Sequence, residues 1–181
     1  QRDSYNQGQK MKIILATEYF PESETGEITG GVESRAFYVA KALAKRHKMY
    51  VITSRRPGSN IYDSFLGMTS MRVGKPYPYT QSGHIAARLR FSISASMAAR
   101  KLVRKEKIDV VDGYNFFTYP VPIYASFCRK AKGFLTYHEV WAGNWVKNTG
   151  TKLGFFGEVL ERKILLLAKL MRMPIIAVSG F

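Results

Sequence analysis

The sequence predicts an α/β protein with a doubly wound, mostly parallel sheet, because strand-like and helix-like segments alternate along the chain. The clearest unit runs from Met11 to Arg56. It starts with Lys12 to Ala16, a short apolar and β-branched run that is typical of a strand buried on both faces. A helical pattern follows Gly30 and Gly31, and Tyr50 to Thr53 returns to strand. Together these segments predict a βαβ unit.

The helix of this unit is predicted from apolar residues that recur every three or four positions. They are Val32, Ala36, Val39, Ala40 and Leu43, whereas Arg35, Lys41 and Lys45 fall outside the stripe. A helix that starts at glycines presents unpaired N–H groups and the positive end of its dipole, so an anion can bind there. The loop from Phe20 to Val32 is therefore the first candidate binding site.

The same reasoning predicts the remaining elements. The expected helices are Ile85 to Lys105, Pro120 to Lys132 and Phe156 to Met171, the last one stopped by Pro174. The expected strands lie around Met71 and Val73, over Asp109 to Gly113, over Phe134 to Glu139 and over Ile175 to Ser179. In the longest helix, the residues expected to face inward are Leu89, Ile93, Met97 and Leu102.

Ligands of such sheets bind at the carboxyl ends of the strands. Besides the glycine loop, three segments follow predicted strands, namely Asp112 to Asn115, His138 with Glu139, and Ser179. We expect all of them to converge on one cleft. His138 is singled out because it lies at this edge, whereas His47 stands at a helix C-terminus, where it complements the dipole.

The composition limits the class of protein. Its 181 residues suit one domain, and 46% hydrophobic residues argue for a globular fold. Cys128 is the only cysteine, so the sequence offers neither a disulfide framework nor a zinc cluster, and a reducing cytoplasm fits. The apolar run Ile164 to Ala168 is too short to span a bilayer. Residues 1–10 are polar, so we expect a flexible N-terminal extension before a domain over residues 11–181.

The net charge of +15 predicts an anionic partner, which is nucleic acid, a lipid headgroup surface or a phosphorylated substrate. A dense basic run contributes to it: Arg88, Arg90, Arg100, Lys101, Arg104, Lys105 and Lys107. No RNP, zinc-finger or helix-turn-helix pattern accompanies this run, so nucleic acid is disfavoured. Two features favour docking on an anionic membrane surface. One is the basic helix, and the other is an apolar group beside Lys147 and Lys152, formed by Trp145, Leu153, Phe155 and Phe156.

The glycine loop matches neither of two familiar phosphate-binding signatures. Gly26 and Gly31 have Walker-A spacing, but Val32 and Glu33 stand where a lysine and a Ser/Thr are needed, so NTP hydrolysis is not expected. The dinucleotide fingerprint requires its glycines immediately after the strand, and here a long insertion intervenes. Gly30 and Gly31 therefore form either an anion site or a plain helix-start turn.

Taken together, the chain resembles the N-terminal domain of GT-B glycosyltransferases of the large retaining family four. The segments that carry the resemblance follow one another in the same order along nearly the whole chain. They are Lys12 to Thr17, Phe20-Pro21, Gly30 to Glu33 with the helix to Ala44, Tyr50 to Ser54, Asp109 to Val111, Tyr137 to Trp141, Leu160-Glu161 and Ala177 to Ser179.

The resemblance implies a Rossmann-like N-terminal half of a GT-B architecture, with the donor-binding domain lying outside this chain. It implies transfer of a hexose from a nucleotide-sugar to a lipid or glycan acceptor, with retention, and without a metal or other cofactor. His138 would be catalytic, and Gly30 and Gly31 would approach the donor diphosphate. The expected acceptor or cleft contacts are Tyr114, Asn115, Glu139 and Trp141.

One segment departs from the family pattern. Members often have His-x-His after the Asp-Val-Val strand, and here Asp112, Gly113 and Tyr114 occupy those positions. Because half of the cleft is missing from it, the chain alone is expected to be inactive. The enzyme is expected in the cytoplasm, including the inner face of the membrane. The alternative is a stand-alone α/β module that binds an anionic ligand or nucleic acid.

Overall fold

The computed structural model of the chain describes residues 10–80, 83–138 and 143–178. Within these ranges the strands are β1 (Lys12–Ala16), β2 (Lys48–Ser54), β3 (Tyr62–Phe65), β4 (Met68–Val73), β5 (Val110–Gly113), β6 (Lys132–Tyr137) and β7 (Ile175–Ala177). They form one sheet in the order β3-β4-β2-β1-β5-β6-β7. Neighbouring strands are parallel, except that β3 and β4 form an antiparallel hairpin. The predicted fold class is confirmed.

Helices cover both faces of the sheet. They are α1 (Gly31–Ala44), α2 (Ile85–Glu106), α3 (Pro120–Ser126), α4 (Trp145–Thr149) and α5 (Thr151–Leu170). On one face Phe37 of α1 packs with Leu15 of β1. On the other face Phe91 of α2 and Val121 of α3 pack with Ile14, the neighbour of Leu15. The strand is thus buried on both sides, which explains its continuous apolar run.

The buried side of α2 differs from the prediction. Ile93 and Met97 are each 62% exposed, and Leu89 and Leu102 are only partly buried. The buried positions carry mostly small side chains, and they are Phe91, Ser92, Ala95, Ser96, Ala99 and Val103. Small residues let α2 lie close to the sheet and to α3, so the bulky apolar residues remain outside.

Two helix boundaries and one hairpin also differ from the prediction. Helix α3 ends at Ser126 instead of Lys132, because Cys128 adopts a left-handed φ of 53° and Lys132 begins β6. Helix α5 begins earlier than expected, because Gly154 and Gly157 let it touch α4: a methyl group on Gly157 would lie 2.3 Å from the Trp145 ring. The strand predicted around Met71 and Val73 is β4, but its hairpin partner β3 was not predicted. The two loop residues of the hairpin, Leu66 and Gly67, both have positive φ, as a tight hairpin turn requires.

Candidate functional site

The glycine loop opens helix α1 as predicted. Gly30 is extended (φ −130°), and its carbonyl accepts the amide of Ser34 at 2.8 Å. Gly31 starts the helix, and a methyl group placed on it would meet no atom within 4 Å. The same group on Gly30 would come within 3.0 Å of the Tyr79 hydroxyl. The positive end of α1 therefore faces open space at Gly31 and packs against Tyr79 at Gly30.

Glu33 lies in the first turn of α1 and is 3% exposed. One of its carboxylate oxygens accepts the amide and hydroxyl of Thr29 at 3.1 and 3.0 Å, and the other accepts the guanidinium of Arg56 at 3.0 Å. This pairing neutralises an acid that would otherwise repel an anion from the helix N-terminus. The Arg56 guanidinium also lies 5.8 Å from the ring centroids of both Tyr19 and Tyr79.

Glu18 follows β1 closely and is 2% exposed. Its carboxylate accepts hydrogen bonds from Arg88 Nε at 2.5 Å, from the Tyr77 hydroxyl at 3.0 Å and from the Asn115 amide at 3.4 Å. Burial raises the pKa of the Glu18 carboxyl, and the guanidinium of Arg88 offsets part of that rise. Glu18 lies at the start of the segment that leads from β1 to the glycine loop, and it contacts Asn115 in the segment that follows β5. It therefore joins the two halves of the cleft.

His138 directly follows β6 and is half-buried. Its ring centroid lies 5.6 Å from that of Tyr114, with 46° between the ring planes. Tyr114 directly follows β5, is 3% exposed, and donates its amide to the carbonyl of Ala16 at 2.9 Å. Burial raises the pKa of Tyr114 above its ordinary value, so its hydroxyl stays neutral at physiological pH. The structure thus places these two predicted residues side by side.

Asp112 stands where family members often have the first histidine of His-x-His, and its side chain is hydrogen-bonded to the neighbouring strand β6. Both of its carboxylate oxygens accept the Thr136 hydroxyl, at 2.9 and 3.1 Å. Burial raises the pKa of Asp112 to about 7, against the opposing effects of these bonds and of the Arg35 charge. Asp112 therefore exists in both protonation states near neutral pH.

The remaining predicted contacts are not shown at the cleft surface. The side chain of Asn115 is used inside the domain, where it accepts the Thr118 hydroxyl at 2.9 Å and caps the short 3₁₀ turn Phe116–Thr118. Glu139, Trp141 and Ser179 lie outside the described residues. His47 is at the opposite edge of the sheet, where its Nδ1 faces the Met11 amide at 3.4 Å.

Sequence reasoning did not assign the charged residues Glu18, Glu33, Arg56 and Arg88 to the cleft. Glu18 and Arg56 come just after β1 and β2, so the rule that selected His138 could also have found them. Arg88 could not be found in this way, because it reaches Glu18 from a helix 70 residues later in the chain.

Across residues 10–80, 83–138 and 143–178, no three His, Cys, Asp or Glu side chains are arranged to hold a metal ion. None of the helices described here is both long and apolar enough to cross a membrane.

Comparison with a sucrose-phosphate synthase supports the architecture. Sucrose-phosphate synthase from Thermosynechococcus elongatus superposes with a TM-score of 0.65 at 13% identity, over 94% of this chain and 48% of that one. A glycosyltransferase from Rickettsia africae ESF-5 matches with a TM-score of 0.47 at 14% identity, over 95% of this chain and 43% of that one. The chain thus spans about half the length of these proteins.

Comparison of sequences gives the family. No curated protein matches the chain significantly. The sequence profile described as Glycosyltransferase Family 4 matches residues 29–180, which include Gly30, Gly31, Asp112, Tyr114 and His138. This match covers most of the chain, and the chain therefore belongs to glycosyltransferase family 4.

Proposed function

We propose that this chain is the acceptor-side domain of a glycosyltransferase that moves a hexose from a nucleotide-sugar to a lipid or glycan acceptor, with retention. The observation that carries the proposal is the edge geometry. The open N-terminus of α1 at Gly31 and the His138–Tyr114 pair stand at the same edge of the sheet, and Glu18 links their surroundings. Family membership supports the reaction class.

The chemistry assigned to this edge is electrostatic. Negative charge grows on the leaving diphosphate as the glycosidic bond breaks, and preorganised N–H groups stabilise such charge. Gly31 leaves room for a phosphate to approach the α1 N-terminus, and the Glu33–Arg56 pair keeps the acid of the first turn from repelling it. These residues need no metal for this contact.

His138 is proposed to stand over the transferred sugar. His138 is half-buried, and the ring of Tyr114 packs beside it from the end of the neighbouring strand. An imidazole can donate a hydrogen bond to a sugar hydroxyl or accept one from it. Tyr114 contributes a neutral phenol beside it. Glu139 and Trp141 remain proposed acceptor contacts.

We infer a cytoplasmic enzyme that docks on the inner face of the membrane through exposed basic and apolar side chains. Leu153, Phe155 and Phe156 are 50%, 68% and 52% exposed, and Lys152 beside them is also exposed. On α2, the exposed Ile93 and Met97 add a second apolar area within the basic helix.

The proposal is tested by His138→Ala in the protein that also carries the donor-binding domain, with His47→Ala as the matched control. His138→Ala should lower kcat by at least about a hundredfold while donor affinity changes little, which is the pattern for an interaction made mainly in the transition state. His47→Ala removes an imidazole from the opposite edge and should leave kcat within about twofold of the natural value. Near-normal turnover of His138→Ala would refute the assignment.

A further inference from the structure

A second concave site lies at the edge of the sheet opposite the cleft. It is a cavity of about 630 Å³ that borders the starts of β1, β5 and β6 and the turns that follow α2 and α3. This volume falls within the roughly 300–1,000 Å³ that is usual for small-ligand pockets. The five residues of β1, at about 3.3 Å each, separate this cavity from the glycine-loop edge by roughly 16 Å.

The lining of the cavity divides into an apolar floor and a charged rim. Val103, Ile108 and Ala131 form the floor and are 6%, 4% and 5% exposed. The rim carries five exposed cationic side chains, which we call the basic pocket: Arg104, Lys107, Arg129, Lys130 and Lys132. Within the described part of the chain, none of the five forms an ion pair.

Cations at helix C-termini offset the helix dipole, and this accounts for some of the basic side chains at the cavity. Helices α2 and α3 both end at this cavity, and each end carries about half a negative charge. Asp109 adds one more charge, and its carboxylate accepts the Lys12 amide at 2.8 Å. Glu106 at the end of α2 is already shared by Lys12 and Lys48. The two helix ends and Asp109 thus supply about two negative charges against five positive ones. Together they offset fewer than half of the cations.

We propose that the basic pocket binds a phosphorylated small molecule or headgroup, with its phosphate against the rim and a compact apolar portion on the floor. A phosphate supplies about two negative charges and several acceptor oxygens, which match the surplus of guanidinium and ammonium donors. The concave shape and the buried floor favour a compact ligand over a polymer that lies along a flat surface. The site is distinct from the cleft, so its ligand binds without competing for the glycine loop.

The experiment measures binding of inorganic pyrophosphate to the chain by calorimetry, and of phosphatidic acid vesicles by co-sedimentation. Binding in either arm should be saturable at about 20 mM NaCl and about tenfold weaker at about 200 mM NaCl, because the Debye length shortens from roughly 20 Å to roughly 7 Å. The two arms distinguish a free phosphate from a lipid headgroup.

Two triple variants locate the site. The pocket variant is Arg129→Gln, Lys130→Gln, Lys132→Gln, and the matched control is Lys45→Gln, Lys75→Gln, Lys163→Gln, which removes three exposed charges that neither line the cavity nor belong to the proposed membrane surface. We expect the pocket variant to bind about tenfold more weakly and the control to stay within about twofold of the natural chain. Thermal melting without ligand shows that both variants fold. Arg104→Gln, on the α2 side of the pocket, should weaken binding in the same direction.

Pyrophosphate binding that the pocket variant loses supports a soluble phosphorylated ligand, and vesicle binding that only this variant loses supports a headgroup. The proposal is overturned if neither probe binds, if the pocket variant and Arg104→Gln keep full affinity, or if the control loses as much. Binding of single-stranded oligonucleotides without binding of either probe would also overturn it.

Discussion

Replacing Asp112 with Asn should stabilise the protein at pH 8 and leave its stability almost unchanged near pH 4. Burial raises the pKa of Asp112 from its ordinary 3.8 to about 7. Between these two values the folded chain keeps a proton that the unfolded chain has lost. Because the folded state binds more protons there, stability falls as the pH rises from about 4 to about 7. Asparagine removes the titration and keeps a partner for Thr136.

The magnitude follows from the difference of about three pKa units. Each unit corresponds to about 1.4 kcal/mol, so the ionised carboxylate destabilises the fold by up to about 4 kcal/mol above pH 7. Local relaxation around the charge reduces this figure, and about 2–4 kcal/mol is a reasonable expectation. In a chain of this size, each kcal/mol moves the melting temperature by about 2–4 °C.

The assay is thermal melting of the natural chain and of Asp112→Asn from pH 4 to pH 8. The control is Glu22→Gln, which neutralises an exposed carboxylate in the loop after β1. The stability gained by Asp112→Asn should grow with pH and level off above about pH 7. Glu22→Gln should follow the curve of the natural chain. A constant offset of Asp112→Asn at every pH would refute the raised pKa, and a loss at every pH would show that the carboxylate bonds to Thr136 outweigh its burial.

Three further predictions concern the cleft and the surface. Gly31→Ala should stabilise the chain by about 0.4–1 kcal/mol, because its methyl group meets open space at a helical position. In the complete enzyme the same change should raise the donor KM. The matched Gly30→Ala should instead disturb Tyr79. An unchanged donor KM in Gly31→Ala would contradict the placement of the diphosphate. Calorimetry of residues 1–181 with nucleotide-sugars should show millimolar binding or none. One helix N-terminus contributes about 0.3–2 kcal/mol, whereas a micromolar Kd needs about 8 kcal/mol. Micromolar binding would favour the stand-alone module. Vesicle binding should require anionic lipid and weaken with salt, and Phe155→Ser with Phe156→Ser should reduce it, whereas equal binding to neutral vesicles would contradict the membrane proposal.

The sheet and most helix positions could be predicted because burial leaves direct marks on the sequence. Strand β1 lies between two helical layers, so both of its faces are apolar and the run is continuous. The inward face of α2 could not be read in this way. Its packing depends on Ala95 and Ala99, whose small side chains carry almost no hydrophobic signal, while Ile93 and Met97 carry a strong one and are exposed.

The candidate site was predictable only where position along a strand determines it. The glycine loop, Tyr114 and His138 follow strands that end at one edge, and the structure places them there. The network around Glu18 depends instead on side chains that meet through tertiary packing. The guanidinium of Arg88 reaches it from α2, and the hydroxyl of Tyr77 reaches it from the loop before that helix. No local pattern encodes such a meeting.

Hydrogen bonds hold the segment from Tyr77 to Thr80 in place, and this has a consequence for its dynamics. Thr80 donates its amide to the Tyr19 hydroxyl at 3.3 Å, and its carbonyl accepts Arg88 Nη2 at 3.2 Å. Arg88 is itself held by the buried Glu18, so the segment that carries Tyr79 is tied to β1 without any ligand. A wall ordered in advance loses little conformational entropy when a substrate arrives. We therefore expect the amides of Tyr77 and Thr80 to exchange with solvent slowly whether or not a ligand is bound.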